Sequence, residues 1–406
     1  MTSPKSRADC LAADAADPLA HVRARFHLDG ARIYMDGNSL GPPATGVATA
    51  LQRVAEGEWR GGLISSWNHA GWLDQPFQLG DRIGALIGAA PGQVVVSDST
   101  SVNLFKLLAA AVARGRQSGR TRIVTSADNF PTDLYVAEGV AELAGAELVR
   151  TGAAAVDSQT AALTLAHVDY RSGRMLDMPG LTAGAHAAGA LVVWDLSHSA
   201  GAVPLELDAW DVDLAVGCTY KFLNCGPGAP AFLYVARRLQ GELANFLRGW
   251  FGHADPFAFA PDFAPAPGIA RFLSGTPGIV GMAPVTAALE AWEGVSMLDV
   301  RTKSVAIAEL LMARLDALGL EVASPRAASE RGSQVSVRSP EGYGLSRALA
   351  EEGVVTDFRP PDIVRFGITP LYLRYVDAWD AMDALAAVLR NGAHQDARWR
   401  ERARVP

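Results

Sequence analysis

An acid and an amine, Asp195 and Lys221, stand 26 residues apart, each at the end of a short apolar run. Leu191-Val192-Val193-Trp194 closes on Asp195-Leu196-Ser197-His198, and Leu214-Ala215-Val216-Gly217 leads into Cys218-Thr219-Tyr220-Lys221-Phe222. Such runs read as buried strands, and in open α/β sheets ligands gather at the carboxyl ends of the strands. A lysine there can form a Schiff base with pyridoxal phosphate, while a carboxylate keeps the pyridine nitrogen protonated. Lysine usage sharpens the reading. Among 36 Lys+Arg residues the lysines are Lys5, Lys106, Lys221 and Lys303. Arginine supplies the rest of the positive charge, keeps its proton and cannot serve as that amine. Lys5 lies in a tail, and Lys106 and Lys303 fall in helical patterns. Lys221 sits between a strand end and the loop Asn224-Cys225-Gly226-Pro227-Gly228, which makes it the candidate.

Other segments carry chemistry of the same kind. In Asp98-Ser99-Thr100-Ser101 a strand gives way to a helix. Its hydroxyls and free N–H groups could cradle a phosphate, although Ser and Thr are equally ordinary N-caps. Phe130, in a loop at the sheet edge, could stack on a flat cofactor ring, with Asp133 accepting hydrogen bonds. A loop anchor and an N-cap are the plainer alternatives. His198 could support the Asp195 carboxylate or be a satisfied interior histidine. Arg365, in the strand pattern Asp362 to Ile368, could grip a carboxylate with its planar fork, or lie on the surface. Gly37-Asn38-Ser39-Leu40-Gly41 fits the nucleophile elbow of a serine hydrolase. That elbow must run directly into a helix, yet Pro42-Pro43 follow. A turn bringing the N-terminus to the active-site mouth is the preferred reading, with a hydrolase using Ser39 as a remote alternative.

These residues need an α/β scaffold, and the patterning supplies one. Strands are expected at 33–35, 93–97, 122–125, 162–168, 191–195, 213–217 and 230–235. Helices are expected at 45–59, 102–113, 134–144 and 182–188. Such alternation implies βαβ units and a mostly parallel sheet covered by helices. After the Pro-rich stretch 255–267, helices at 277–292 and 296–318 precede strands near 333–338, 353–358 and 363–368, a smaller α+β domain. The expected division is an N-terminal segment 1–75 that contributes to the small domain and the active-site mouth, a large domain 76–293 and a small domain 294–406.

Composition narrows the class. A net charge of −7 argues against a nucleic-acid binder, and no apolar run approaches the length of a membrane span. Three cysteines make no disulfide framework, and Cys218 and Cys225 fit no zinc spacing, so no metal site is expected. With no secretory signature at the N-terminus, a cytoplasmic location is expected.

The motifs Tyr34-Met35-Asp36-Gly37-Asn38-Ser39-Leu40-Gly41, Asn129-Phe130-Pro131-Thr132-Asp133, Trp194 to Gly201, Thr219 to Asn224, Gly249-Trp250-Phe251-Gly252-His253, Gly275-Thr276-Pro277 and Pro370-Leu371-Tyr372 occur in that order. As a set they resemble the kynureninase family, fold-type I pyridoxal-phosphate enzymes of the class V aminotransferase group. The resemblance covers roughly residues 30 to 390. It implies that Lys221 carries the cofactor and moves protons, that Asp195 pairs with the pyridinium nitrogen, and that Phe130 stacks on the ring with His198 close by. Thr100, Ser101 and Tyr220 would hold the phosphate, with Asp133 also in contact and Tyr220 a proton donor. Arg365 would bind the substrate α-carboxylate. Trp250 and Thr276 would reach in from the other subunit of a homodimer with shared active sites. Trp67 and Gly275-Thr276 match a bacterial-looking aryl pocket, which favours kynurenine over its 3-hydroxy derivative. The implied reaction is hydrolysis of L-kynurenine to anthranilate and L-alanine, within tryptophan catabolism and the kynurenine pathway toward NAD. The nearest rival is another class V enzyme, a cysteine desulfurase or an aminotransferase. A desulfurase, however, needs a mobile cysteine, and Cys218 and Cys225 are tied to the lysine segment.

Overall fold

Val94–Val96, Leu191–Asp195, Leu214–Gly217 and Phe232–Val235 are apolar along their length because helices or further chain cover both faces of the sheet they build. The structure, a computed structural model, describes residues 4–28 and 32–403. Its main sheet has seven strands in the order Val94–Val96, Phe232–Val235, Leu214–Gly217, Leu191–Asp195, Thr160–Ala166, Arg122–Val124, Glu147–Val149. Phe232–Val235 runs antiparallel to both neighbours, and the other pairings are parallel. The register sets Asp195 beside Ala166 on one side and Val216 on the other, so three carboxyl ends finish together. The helix Thr100–Arg116 crosses the sheet and buries Leu104, Leu107, Leu108 and Ala111 against it. The long α/β alternation read from the sequence is the fold that forms.

A second sheet of four strands, Asp357–Arg359, Ile363–Gly367, Gln334–Arg338 and Glu321–Val322, is antiparallel throughout. The helices Met297–Ala317, Gly342–Glu351 and Tyr375–Asn391 pack around it. The N-terminal segment is bonded to this part of the molecule. Ile33–Tyr34 pairs in parallel with Val354–Val355, and the Asp14 carboxylate caps a helix by accepting from the N–H groups of Tyr375 and Val376.

Several elements differ from the sequence reading. The helix expected over 45–59 is regular only over Val47–Gln52 and continues as a π-helix over Arg53–Trp59, where Gly57 weakens helical preference. The strand expected at 353–358 is two strands, one serving Ile33–Tyr34 and the other the four-stranded sheet. Residues 7–15, weakly patterned in sequence, form a helix capped by Ser6. The edge strands Glu147–Val149 and Glu321–Val322 escaped notice because they are short and partly exposed. Lys106 and Lys303 are helical as expected, but they are buried. Lys106 pairs with Asp98 at 2.5 Å, and Lys303 pairs with Asp17 at 2.6 Å. Arg404, the end of the Arg-rich tail, lies outside the described residues. Among the described residues no helix is long and apolar enough to cross a membrane, and no group of three His, Cys, Asp or Glu side chains is placed to hold a metal ion.

Candidate active site

Asp195 ends the central strand, and its Oδ1 accepts from the Ser197 N–H at 2.7 Å. The neighbouring strand delivers Lys221 four residues past its end at Gly217. Lys221 Nζ lies 5.9 Å from the centre of the Phe130 ring and 5.9 Å from that of Tyr220. Asp195, Lys221, Phe130, Asp133, His198 and Tyr220 line one cavity of 250 Å³. Thr100 and Ser101 form its wall together with Tyr220, and the same three residues line a larger cleft of 570 Å³ that also meets Gly275 and Thr276. The sequence candidates from four strand ends therefore converge on one place.

Thr100 and Ser101 open the first turn of a 17-residue helix capped by Ser99, where N–H groups lack helical acceptors and the dipole favours an anion. Lys106, one to two turns along, donates to Asp98 and to the Phe272 carbonyl oxygen at 2.7 Å. It thus ties the strand-to-helix turn, where Asp98 has φ of +48°, to the segment that carries Gly275 and Thr276.

The titratable groups are set by burial. His198 is pushed well below its usual range by burial first and by the Lys221 and Arg365 charges next. Its neutral ring must therefore present Nε2–H to the Asn38 carbonyl oxygen, 3.0 Å away. Asp133 is pushed well above the usual carboxylate range by burial first and the Asp195 charge second. Its Oδ2 has no protein partner. Burial, then the Cys218 thiol, raises the Tyr220 phenol, which holds its proton at neutral pH.

The Asp36 to Gly41 loop reaches this site from the N-terminal segment. Gly41 N–H donates to the Tyr220 carbonyl oxygen at 2.8 Å. A Cβ on Gly41 would lie 2.5 Å from the Lys221 carbonyl oxygen and closer still to the Asn224 side-chain oxygen. The loop is a turn with no helix at its end, and Ser39 Oγ donates to Asp357 Oδ2 at 2.7 Å while accepting from Arg365 and Arg359. The carboxylate that accepts from Ser39 is ion-paired to Arg359 and Arg365 and is a poor base, and no histidine contacts the hydroxyl among the described residues, which disfavours the hydrolase alternative.

Arg365 projects from an inner strand of the small sheet and is 1% exposed. It engages both oxygens of Asp357, with Nε to Oδ1 at 2.6 Å, and donates to the Tyr170 carbonyl oxygen and Ser39. It is not among the residues that line the two cavities. Trp67 packs edge-on to Trp72 and near Phe251, while Trp250 packs on Phe251, Phe257 and Phe259; neither lines the two cavities of this chain. The sequence reading missed Tyr170, Ser197, Asp357 and Arg359. Ser197 and Tyr170 follow strand ends and were open to the same reasoning. Asp357 and Arg359 become visible only through the pairing that sets them beside Arg365.

A phosphorylated heteroaromatic aldehyde fits these residues. Among the described residues Lys221 Nζ makes no hydrogen bond or ion pair, and the buried Asp133 Oδ2 is unsatisfied. The cavity has an aromatic wall at Phe130, a carboxylate at Asp195 and a helix N-terminus at its far side.

Comparison with known proteins agrees. An apo cysteine desulfurase from Thermococcus onnurineus NA1 superposes with a TM-score of 0.77 at 18% identity, covering 92% of this chain and 98% of its own. The cysteine desulfurase CsdA from Escherichia coli gives 0.78 at 19%, with the same coverage. At this level of identity the likeness shows the fold, that of the fold-type I enzymes. The kynureninase of Burkholderia pseudomallei strain 1106a is 46% identical over 99% of this chain and 100% of its own length. That of Pseudomonas fluorescens is 45% identical over 98% and 99%. Residues 300–385 match the model of the kynureninase C-terminal domain. The chain belongs to the kynureninase family.

Proposed function

We propose that this chain hydrolyses L-kynurenine to anthranilate and L-alanine, with pyridoxal phosphate held at Lys221 and Asp195. The carrying observation is full-length identity of 46% to a kynureninase, joined to an unpartnered Lys221 amine above an Asp195 strand end. When bound, the cofactor supplies a conjugated sink for the electron pair released at the substrate Cα. Asp195 would accept a hydrogen bond from the protonated ring nitrogen and so keep that sink effective. Phe130 would cover the ring, with His198 fixing the Asn38 turn, and Thr100, Ser101 and Tyr220 would donate to the phosphate. Asp133 has an unsatisfied oxygen to offer the cofactor.

Lys221 Nζ removes the Cα proton and returns it later. Water supplies hydroxyl to the aryl ketone carbon as the Cβ–Cγ bond breaks, and Cβ takes a proton for which Tyr220 O–H is the source. Products and water balance: anthranilate keeps the hydroxyl, alanine the hydrogen. Arg365 contributes to the α-carboxylate site.

The active unit is a homodimer in which Trp250 and Thr276 complete the partner's site and Trp67 with Gly275 shapes the aryl pocket. The strip of exposed Trp250, Phe257 and Phe259 suits such an interface. The working division of the chain is 1–75, 76–293 and 294–406, the first segment bonded to the last. Purified protein supplied with pyridoxal phosphate and L-kynurenine is expected to release fluorescent anthranilate and alanine in equal amounts. Sulfide release from cysteine, without anthranilate, would overturn the reading.

A further inference from the structure

Phe130 is the ring assigned to cover the cofactor, yet little in its own segment orients it. It stands at the N-cap of the helix Pro131–Ala144 and is 37% exposed. Its N–H donates to the Asn129 side-chain oxygen at 2.9 Å, which fixes the backbone but not the ring. The ring is held by Tyr170. The two meet edge-on, with centres 5.2 Å apart and planes at 81°, the T-shaped arrangement that aromatic pairs favour.

Tyr170 is itself held from the other sheet. Its carbonyl oxygen accepts from Arg365 Nη1 at 2.6 Å and from Gln334 Nε2 at 3.3 Å, both on strands of the small sheet. The next carbonyl oxygen, that of Arg171, accepts from Ser336 Oγ at 2.6 Å. Asp169 closes the turn: its Oδ1 accepts from the Ser172 N–H at 2.6 Å and its carbonyl oxygen from the Gly173 N–H at 2.9 Å. These bonds fix the backbone of Tyr170, while its side chain lines the cofactor cavity with Phe130 and Lys221. Among the described residues its phenol makes no hydrogen bond, so the ring rather than the hydroxyl makes the contact with Phe130.

We propose that Tyr170 is a positioning residue for the cofactor: its ring edge sets the orientation of the Phe130 ring, and the small sheet in turn sets Tyr170. The inference rests on Phe130 as the stacking ring in the reading above and adds the residue that holds it.

The test titrates the full-length protein with pyridoxal phosphate and follows the visible absorbance and circular dichroism of the bound cofactor. Tyr170→Leu should raise the cofactor Kd about two- to tenfold, the worth of one aromatic pair, and change the visible circular dichroism. Tyr170→Phe, which keeps the ring edge, should retain the wild-type values of both. Action through Phe130 also predicts non-additivity, so in a Phe130→Leu background Tyr170→Leu should raise the Kd no further. Tyr170→Met stands in if the leucine variant does not fold. An unchanged Kd in Tyr170→Leu, an equal loss in Tyr170→Phe, or additive losses in the double variant would overturn the proposal. Binding is read without kynurenine. A wild type that binds pyridoxal phosphate and shows this pattern, yet makes no anthranilate, would sink the assigned reaction and leave the role of Tyr170 standing.

Discussion

Lys221 and Tyr220 are adjacent in sequence yet have different proposed roles, and substitution separates them. Lys221→Ala should abolish turnover, by about a thousandfold or more, and remove the visible absorbance of the bound cofactor. Tyr220→Phe should keep the absorbance and lower kcat by about 10²–10⁴, since only a proton source and one phosphate donor are lost. Stability carries its own residue-scale signature. Asp36 titrates near 7 in the fold, against 3.8 for an ordinary aspartate. The folded state therefore binds more protons between those values, and this group's contribution, complete below pH 4, falls as pH rises toward 7. Asp36→Asn should accordingly show a smaller drop in Tm between pH 4 and 7 than wild type, measured by calorimetry. An equal or steeper drop would contradict the burial argument.

Elements explain why residues from distant segments meet. Parallel strands in register put Ala166, Asp195 and Val216 level, so the loops that follow them share one edge. The turn 36–41 then joins the two sheets. It touches the lysine segment through Gly41 and the small sheet through Ser39, whose hydroxyl bonds Asp357. Glycine is required at 41 by close approach to the Lys221 carbonyl oxygen. Gly41→Ala should cost about 1–3 kcal/mol in chemical denaturation and lower kcat more than a surface Gly→Ala change of equal stability cost. If kcat survived that change intact, the turn would not position Lys221. Lys106 is a comparable tie within the large sheet, where a helix lysine bonds the Asp98 turn to the Phe272 carbonyl oxygen.

At the scale of the whole molecule, exposed Trp250, Phe257 and Phe259 lie together on a surface that a lone chain would leave in water. Sedimentation is expected at twice the chain mass. Phe259→Asp should shift it toward the monomer and reduce turnover in parallel, whereas a fully active monomer would rule out shared sites. Much of this molecule was legible beforehand. Asp195, Lys221, Thr100 and Phe130 could be found because each follows a local transition from strand to loop or helix, which hydrophobic periodicity marks. The buried pairs Lys106–Asp98 and Lys303–Asp17 could not, because a helical pattern does not say which lysine faces inward to a carboxylate distant in sequence or on another turn. Nor could the split of 353–358 between two sheets, which depends on Ile33–Tyr34 arriving from more than 300 residues away. The amino-acid order alone determined the strands, their charged ends and so the chemistry available there, since these depend on near neighbours. Only the tertiary structure decided how that chemistry is directed: that Arg365 is already occupied by Asp357, that Asp357 and Ser39 also hold Arg359, and that Ser39 is bound rather than reactive. Those outcomes turn on cross-strand register and burial, which bring together groups that the chain itself keeps far apart.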